Sequence, residues 1–456
     1  MFHSDSTICA IASPAGGAIC IIRISGPEAI PAADSIFQSV SGRRLSEQPP
    51  YSVCFGHITD KDGSIVDEVL ATVFHAPHSY TGEDSVELSC HGSEYIAGQV
   101  ISLLIDNGCS QAKPGEFTQR AFLSGKMDLS QAEAVADLIS SSTKATHDMA
   151  LNQMRGGFRH KIEELRSKLL ELTSLMELEL DFGEEDVTFA DRSLLDRTAA
   201  EIEQTLANLS ASFKTGNAIR NGVAVAIVGR TNTGKSTLLN QLVEDERAIV
   251  SDIQGTTRDS IEDSITLNGI LFRFIDTAGI RNSDDTIERI GIERSLKTAE
   301  KADIVLVLSD CSNPQTENDP ELEGILSPLC KDCTLIRVHN KCDLIDRVPN
   351  STNTDIYISA KQGIGIDLLR IALTHSVPDI YPEANGIIIT NIRHFEAISK
   401  ALESIRRART GIKSGIAVDF ISQDTRECIH HLSDILGEVT TDQVLQHIFS
   451  HFCIGK

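Results

Sequence analysis

Gly229-Arg-Thr-Asn-Thr-Gly-Lys-Ser236 directly follows Val223-Ala-Val-Ala-Ile-Val228, an apolar run that is typical of a buried strand in a parallel sheet. When a strand leads through a glycine-rich loop into a helix, the backbone N–H groups of the loop can approach phosphate oxygens closely. In such a loop Lys235 reaches the β- and γ-phosphates, and Ser236 supplies a hydroxyl ligand to Mg2+. The spacing therefore predicts a phosphate-binding loop.

Four further motifs follow this loop along the chain. They are Gly255-Thr-Thr-Arg-Asp259, Asp276-Thr-Ala-Gly279, Asn340-Lys-Cys-Asp343 and Ser359-Ala-Lys361. The carboxylate of Asp343 can accept hydrogen bonds from N1–H and the 2-amino group of guanine, a pair of donors that adenine lacks. Thr257 is expected to supply a second hydroxyl ligand to Mg2+, and Asp276 to reach the ion through water. We therefore expect the ligand to be GTP.

The predicted nucleotide site also includes residues that hold the base and the γ-phosphate. Asn340 and Lys341 are expected to frame the guanine ring, and the backbone N–H of Ala360 to meet guanine O6. The backbone N–H of Gly279 can bond the γ-phosphate. The predicted GTP-binding residues are Asn232, Thr233, Gly234, Lys235, Ser236, Thr237, Ser251, Asp252, Ile253, Gln254, Gly255, Thr256, Thr257, Asp276, Thr277, Ala278, Gly279, Asn340, Lys341, Asp343, Ser359, Ala360 and Lys361.

One part of a GTP-hydrolysing site is missing from these motifs. Ile280 stands where many GTPases carry the glutamine that orients the attacking water, and an apolar side chain cannot position water. Asp284, Asp285 and Glu288 follow, and any of these carboxylates could approach the water, although a solvated acidic loop is the competing interpretation. Asn232 offers an oxygen ligand for a cation near the α- and β-phosphates. The residues alone do not decide which of these groups orients the water.

The length of the chain and the changes in residue composition along it predict several domains. A chain of 456 residues is expected to form two to four domains. Residues 1–120 mix strand-like runs with glycine and proline, which predicts an α+β domain. Residues 121–219 and 381–456 carry apolar residues at helical spacing. Residues 220–380 alternate buried strands with helix-length segments, which predicts a doubly wound, Ras-like α/β domain inserted into a helical domain.

Two patterns support this division. One helix is predicted from an apolar stripe at steps of three or four residues: Ile162, Leu165, Leu169, Leu172, Met176 and Leu180. The strands expected after Val223–Val228 are residues 271–275, 303–308, 334–338 and 355–358.

The composition limits the classes of partner. With 41 Lys and Arg against 65 Asp and Glu, the formal net charge is -24, which argues against a surface that is basic throughout. The eleven cysteines and the absence of a secretion signal favour reduced thiols in the cytoplasm. No run reaches the ~18 uninterrupted apolar residues of a membrane span, so we expect a soluble protein with no membrane partner. The one locally basic region contains Arg393, Lys400, Arg406, Arg407, Arg409 and Lys413.

Three segments outside the nucleotide motifs are more specific. They are residues 114–137 (Pro-Gly-Glu-Phe-Thr-Gln-Arg-Ala-Phe-Leu-Ser-Gly-Lys-Met-Asp-Leu-Ser-Gln-Ala-Glu-Ala-Val-Ala-Asp), residues 287–294 (Ile-Glu-Arg-Ile-Gly-Ile-Glu-Arg) and Phe452-Cys-Ile-Gly-Lys456. On these segments and the five motifs together, the chain resembles the MnmE (TrmE) family of tRNA-modifying GTPases over essentially its whole length. A ribosome-assembly GTPase would share the five motifs but not these segments.

The resemblance implies a reaction on tRNA. Members of the family add an aminomethyl or carboxymethylaminomethyl group at C5 of the wobble uridine of certain tRNAs. They work with an MnmG-type flavoprotein, in a heterotetramer, and this partner brings FAD and NADH. A reduced folate, either 5-formyl- or 5,10-methylene-tetrahydrofolate, binds the N-terminal domain, which also makes the homodimer. With tRNA as the implied partner, the basic region becomes a candidate for phosphate contacts.

The resemblance also assigns roles to single residues. It implies that Glu288 orients the water and that the Cys453 thiol is catalytic. It implies a K+ site whose ion takes the electrostatic role of an arginine finger once two G domains meet. The K+ ligands it implies are Asn232, Ser251, Ile253 and Thr256, and the folate-binding residues are Arg23, Glu87, Lys126 and Lys456.

The sequence departs from the family pattern at two places. Thr231 stands where members commonly have proline, but the phosphate loop depends more on its glycines. The turn Pro14-Ala-Gly-Gly-Ala18 is one residue short and lacks an arginine often found there, which bears on the folate site rather than on the nucleotide site.

Two other functions compete with this one. The first is an RNA-binding GTP switch in ribosome assembly that performs no base chemistry. The second is a folate-dependent one-carbon transferase whose G domain is vestigial. The intact Lys235, Ser236, Thr257 and Asp276 argue against the second.

Overall fold

The computed structural model describes residues 6–14, 16–181, 192–247, 263–275, 301–313, 324, 333–352, 355–377, 387–450 and 452–455, with the backbone alone at 178–181 and 244–247. The chain divides into two compact units. The first comprises residues 1–139, 151–202 and 400–456, and the second comprises residues 140–150 and 203–399. In the described ranges no helix has both the length and the apolar character of a membrane span.

The first unit contains a seven-stranded sheet. Its strands are β1 (Ile8–Ile11), β2 (Ile19–Ser25), β3 (Phe37–Ser39), β4 (Ser52–Thr59), β5 (Ile65–Phe74), β6 (Ser85–His91) and β7 (Ser110–Gln111). Their order in the sheet is β3-β4-β5-β6-β2-β1-β7. All neighbours are antiparallel except β1 and β7, which are parallel.

One face of this sheet is covered by two helices, and the opposite face is exposed over β4 and β5. The helices α1 (Ala29–Ile36) and α2 (Glu94–Asp106) share an apolar core with the side chains that alternate inward from the strands. On the opposite face, Val53, Phe55 and Leu70 are 60%, 49% and 46% exposed.

The remaining helices follow in chain order. They are α3 (Glu116–Leu123), α4 (Leu129–Ser140), α5 (Lys144–Met154), α6 (Gly157–Asp181), α7 (Arg192–Asn221), α8 (Lys235–Arg247), α9 (Ile366–His375), α10 (Ile392–Ser414), α11 (Val418–Leu436) and α12 (Asp442–Ser450). The predicted stripe lies on α6, which packs along α11. Its first five members, from Ile162 to Met176, are at most 1% exposed, as a core-facing stripe requires. The side chain of Leu180 lies outside the described residues.

The second unit contains a six-stranded sheet. Its strands are β8 (Val223–Val228), β9 (Asp263–Leu267), β10 (Ile270–Phe274), β11 (Ile304–Asp310), β12 (Thr334–Asn340) and β13 (Asp355–Tyr357). They lie in the order β13-β12-β11-β8-β10-β9, and every pair is parallel except β9 and β10. Apolar residues of α8 and α9 pack into the core of this sheet.

The predicted fold class is confirmed by these two sheets and by the helices in the order expected from the sequence. All six residues of β8 are buried, as predicted for the strand that enters the phosphate loop. The strand β9 was not predicted. The domain boundaries at residues 120, 219 and 380 stay predictions.

Candidate functional site

Three of the five nucleotide motifs lie together at one edge of the second sheet. Because β8, β11, β12 and β13 run parallel, their carboxyl ends lie at the same edge, where ligands of doubly wound sheets bind. The loop of residues 229–236 leaves β8 there, Asp310 ends β11, Asn340 ends β12, and Ser359 follows β13. The sheet therefore brings together motifs that lie up to 130 residues apart in the sequence.

The phosphate loop is arranged around Lys235. Its Nζ donates to the carbonyl oxygens of Gly229 and Arg230, at 2.8 and 2.7 Å. Burial lowers the pKa of Lys235, because desolvation disfavours the charged ammonium. A phosphate anion at this N-terminus of α8 would supply a counter-charge. Ser236 and Thr237 are exposed in the first turn of α8.

Two glycines of the loop are required by close contacts. A Cβ on Gly229 would lie 2.4 Å from the carbonyl oxygen of Leu308. Gly234 has φ +94°, and a Cβ there would lie 2.3 Å from Nδ2 of Asn340. Asn232 also adopts the left-handed region, with φ 61°, and its side chain is exposed. The loop conformation therefore depends on glycine at both ends.

Asn340 connects three of the motifs. Its Nδ2 donates to the carbonyl oxygen of Thr233 at 2.8 Å, and its Oδ1 accepts from the backbone N–H of Ala360 at 2.9 Å. The residue is only 3% exposed. In this structure the Ala360 N–H is thus engaged by Asn340, and its contact with guanine O6 stays a prediction. Asn340 therefore fixes the position of the phosphate loop relative to residues 359–361, which are predicted to contact the base.

Asn340→Ala is expected to weaken GTP binding about tenfold. The substitution leaves the Thr233 carbonyl and the Ala360 N–H without their partner, and an unsatisfied buried group costs about 1–3 kcal/mol. Titration with a fluorescent GTP analogue would measure the Kd. Asn313→Ala, at an asparagine outside the five motifs, is the matched control and should leave the Kd unchanged. An unchanged Kd for Asn340→Ala would contradict the bridging role.

The base side of the site contains an ion pair that the sequence did not predict. Lys341 Nζ contacts Asp310 Oδ2 at 2.5 Å, and Lys341 has φ 64°. Burial works to raise the pKa of Asp310, but hydrogen bonds from Lys341 and Ser312 outweigh it, so the pKa is lowered. The position of Asp310 at the end of a buried strand was a signal that could have identified it.

Asp343 and Ser359 present polar atoms at the same end of the site. Asp343 is exposed and accepts from Nε2 of Gln362 at 3.2 Å, so its carboxylate retains acceptor capacity. The Ser359 hydroxyl is buried and has no hydrogen-bond partner among the described residues. Lys361 is exposed. These residues lie where the motif order predicts the guanine base.

Part of the predicted site lies outside the described residues. This applies to the water-orienting candidate Glu288, to the folate candidate Lys456, and to Asp284 and Asp285. The other predicted residues outside the described ranges are Ser251, Asp252, Ile253, Gln254, Gly255, Thr256, Thr257, Asp276, Thr277, Ala278 and Gly279.

A second cluster lies on the face of the first sheet opposite α1 and α2. Arg23 on β2 and Glu87 on β6 are cross-strand partners, and Arg23 Nε donates to Glu87 Oε1 at 2.8 Å. The guanidinium lies 5.4 Å from the ring centroid of Tyr80 and 5.7 Å from that of Phe117. The structure therefore brings two folate candidates into contact, and the positive charge of Arg23 is already paired.

Lys126 approaches the same region through a loop. Its Nζ donates to the carbonyl oxygen of Pro77 at 2.9 Å, in the loop that carries Tyr80. Sequence reasoning missed Arg120, which is 8% exposed and fixes this loop by pairing with Glu83 at 3.2 Å. Arg120 also pairs with Glu116 at 3.0 Å. A charged residue on the apolar side of a short helix was the signal that could have found it.

The basic region on α10 is largely paired within the chain. Arg407 Nε contacts Asp424 Oδ1 at 2.9 Å, and Arg407 also pairs with Glu427. Arg409 Nε contacts Asp196 Oδ1 at 2.8 Å. Since carboxylates offset these charges, the region presents fewer available cations for tRNA phosphates than its sequence indicates.

Two family models match the chain. The model described as GTP-binding protein TrmE N-terminus matches residues 7–126, and that described as MnmE helical domain matches residues 129–453. The chain is 56% identical to the tRNA modification GTPase MnmE of Bacteroides thetaiotaomicron, over 99% of this chain and 100% of that protein. It is 47% identical to that of Flavobacterium johnsoniae, over 100% of both.

Solved structures match a smaller part of the chain. A crystal structure of Era in complex with MgGDPNP and a segment of 16S ribosomal RNA is 26% identical, with a TM-score of 0.27, over 40% of this chain and 66% of that chain. The G domain of the FeoB iron transporter of T. maritima is 20% identical, with a TM-score of 0.25, over 34% of this chain and 98% of that chain.

Proposed function

This chain belongs to the MnmE (TrmE) family, and from that premise we propose that it hydrolyses GTP in the modification of the wobble uridine of certain tRNAs. The observation that carries the proposal is the 56% sequence identity to a tRNA modification GTPase, which extends over 99% of this chain. The intact phosphate loop and the Asn340 bridge support it, because they form the framework of a nucleotide site.

The reaction adds an aminomethyl or carboxymethylaminomethyl group at C5 of the uridine. This protein works in the cytoplasm with an MnmG-type flavoprotein, which supplies FAD and NADH, in a heterotetramer. A reduced folate, 5-formyl- or 5,10-methylene-tetrahydrofolate, provides the one-carbon unit.

Two cations are proposed to bind at the nucleotide site. Mg2+ would be held by the hydroxyl of Ser236, which is exposed at the start of α8, together with Thr257. K+ would be held by Asn232, whose exposed side chain lies in the phosphate loop, together with Ser251, Ile253 and Thr256. Bound cations of this kind offset negative charge on the phosphates.

The folate is proposed to bind at the Arg23–Glu87 pair. The Glu87 carboxylate suits the amino and N–H donors of the pterin ring. Because Arg23 is already paired with Glu87, the cations for the glutamate carboxylates are Lys126 and Lys456 rather than Arg23 alone. The rings of Tyr80 and Phe117 beside Arg23 offer an apolar surface that a flat pterin could contact.

The homodimer is proposed to form through the exposed part of the first sheet, over β4 and β5. In register across the strands, Phe55 lies opposite Leu70, and Leu70 lies opposite Ser89. Phe55 and Leu70, with Val53 beside them, form an exposed apolar patch on the face that also carries Arg23 and Glu87. A patch of this kind is typical of a protein–protein interface.

Nucleoside analysis of tRNA tests the function. Total tRNA from cells lacking this protein should lose the C5 substituent of the wobble uridine, and expression of the protein should restore it. Unchanged wobble uridines would contradict the proposal. GTP-dependent co-sedimentation with ribosomal subunits, without binding of reduced folate, would instead favour the RNA-binding switch.

A further inference from the structure

Asp310 lies at the end of β11 and belongs to none of the five nucleotide motifs. Its Oδ2 accepts from Lys341 Nζ at 2.5 Å. Its Oδ1 accepts from the backbone N–H of Ser312 at 2.9 Å and from the Ser312 hydroxyl at 2.6 Å. Both carboxylate oxygens are therefore engaged, and the carboxylate that holds the lysine is itself held by the turn that follows β11.

The ion pair carries the Lys341 side chain toward the end of the neighbouring strand. In the parallel register of β11 and β12, Asp310 lies beside Asn340, so Lys341 reaches from the end of its own strand to the end of β11. The sheet order β12-β11-β8 places β11 between the strand that leads to the base motif and the strand that leads to the phosphate loop. The stem of Lys341 therefore extends from the base end of the predicted site toward its phosphate end.

A nucleotide that occupies both ends of the site has to pass this side chain. Its phosphates would lie at residues 229–236 after β8, and its base would lie at Asp343 after β12. The methylene groups of a lysine form an apolar surface against which a flat purine ring can pack while the ammonium stays on its carboxylate. The Lys341 side chain is 33% exposed, so part of this surface is accessible to a ligand.

The ion pair orders Lys341 before a nucleotide binds. A free lysine side chain has four rotatable bonds, and fixing them on binding costs free energy that weakens the complex. The backbone of Lys341 is held as well. It has φ 64°, and the N–H of the next residue, Cys342, donates to the carbonyl oxygen of Ile358 at 3.0 Å. The direction and the far end of the side chain are thus both fixed in advance.

We propose that Asp310 is a positioning residue for guanine nucleotides, which holds the stem of Lys341 as the surface on which the purine ring packs. The proposal rests on the proposed function in one respect, namely that the ligand is a guanine nucleotide. Asp310 acts through Lys341 alone, and on the plane of the ring rather than on its exocyclic groups. Discrimination between bases is left to Asp343.

Asp310→Ala in the full-length protein tests the proposal. The Kd for GDP and for GTP should rise about fivefold, measured by titration with a fluorescent analogue, because the lysine is no longer ordered in advance. Lys341→Ala should raise both Kd values by at least as much. The double variant should match Lys341→Ala, since nothing then remains for Asp310 to position. In steady-state hydrolysis the effect should appear in KM rather than in kcat.

Inosine nucleotides separate a positioning role from a merely structural one. ITP has the ring system of GTP but lacks the 2-amino group from which Asp343 is predicted to accept. A change in the surface beneath the ring affects both ligands equally, so the ratio of the Kd for ITP to the Kd for GTP should be unchanged in Asp310→Ala. A general loosening of residues 340–343 would displace Asp343 as well and would bring this ratio toward one.

Asp367→Ala is the matched control. Asp367 on α9 pairs with Arg370 at 3.2 Å, so this substitution also removes an aspartate from an ion pair in the second unit, but outside the five motifs. It should leave every Kd unchanged. If Asp310→Ala does not fold, Asp310→Asn replaces it, because its amide oxygen can still accept from Ser312 while the charge of Lys341 loses its partner. The Kd should then rise about threefold, again with an unchanged ratio.

The outcomes are distinct. A wild-type Kd for GTP in both Asp310 variants would overturn the positioning role. A double variant that binds GTP more weakly than Lys341→Ala, or a changed ratio of the ITP and GTP affinities, would also overturn it, because Asp310 would then act apart from the lysine or through the whole loop. Failure of the wild type to bind either nucleotide would overturn the guanine ligand of the proposed function, whereas tight wild-type binding that is indifferent to Asp310 would overturn the present proposal alone.

Discussion

Glu288→Ala is expected to lower the kcat of GTP hydrolysis by roughly 10²–10³-fold while leaving the Kd for GTP unchanged. The apolar Ile280 stands where a glutamine would orient the water, so another group must do so. The family resemblance assigns this role to Glu288. A residue that acts on the water alone contributes to the transition state but not to binding of the ground state.

Single-turnover hydrolysis and an equilibrium GTP titration would separate these effects. Asp284→Ala and Asp285→Ala are the matched controls, since they remove a carboxylate from the same stretch and should retain wild-type turnover. Retained turnover in Glu288→Ala, with loss in either control, would move the role to that aspartate.

Asp343→Asn is expected to exchange guanine preference for xanthine preference. The Asp343 carboxylate is exposed at the base end of the site and accepts only from Gln362 among the described residues, so it is available to N1–H and the 2-amino group. An asparagine amide offers a donor where guanine also presents donors, whereas xanthine presents a carbonyl oxygen at C2. Mismatched polar pairs of this kind change affinity by roughly 10³-fold or more.

Competition between GTP and XTP for one labelled nucleotide would measure the change. Asp346→Asn makes the same chemical change at an exposed carboxylate three residues further along and should retain GTP preference. If Asp343→Asn still preferred GTP, the base would be recognised by other groups.

The sequence predicted most strands of the second unit correctly because each apolar run and each motif is a contiguous stretch of residues. Val223–Val228 is buried along its length and leads into the phosphate loop, as the apolar run indicated. The strand β9 was missed because it is short and, among the described strands, pairs with β10 alone, so its burial is partial and its pattern weak. The five motifs predict a nucleotide site but do not predict the Asn340 bridge. Asn340 is hydrogen-bonded to Thr233, which is 107 positions away, and to Ala360, which is 20 positions away.

The ion-pair partners of the charged residues could not be predicted from the sequence. Arg23 and Glu87 were predicted as separate ligands of folate, and only the register of β2 against β6 makes them one ion pair. The sequence around Arg407 and Arg409 predicted a basic helix face. In the structure these arginines pair with carboxylates on α11 and α7. Such partners depend on tertiary packing, which a local charge pattern does not encode.

GTP hydrolysis measured in K+ and in Na+, each at two protein concentrations, is the most direct test of the proposed hydrolytic site. Asn232 is exposed in the phosphate loop, where a cation could replace the charge of an arginine finger. The turnover number should be at least about tenfold higher in K+ than in Na+, and in K+ it should rise with protein concentration as G domains pair. Equal turnover in both salts, independent of concentration, would contradict the cation role and the pairing together.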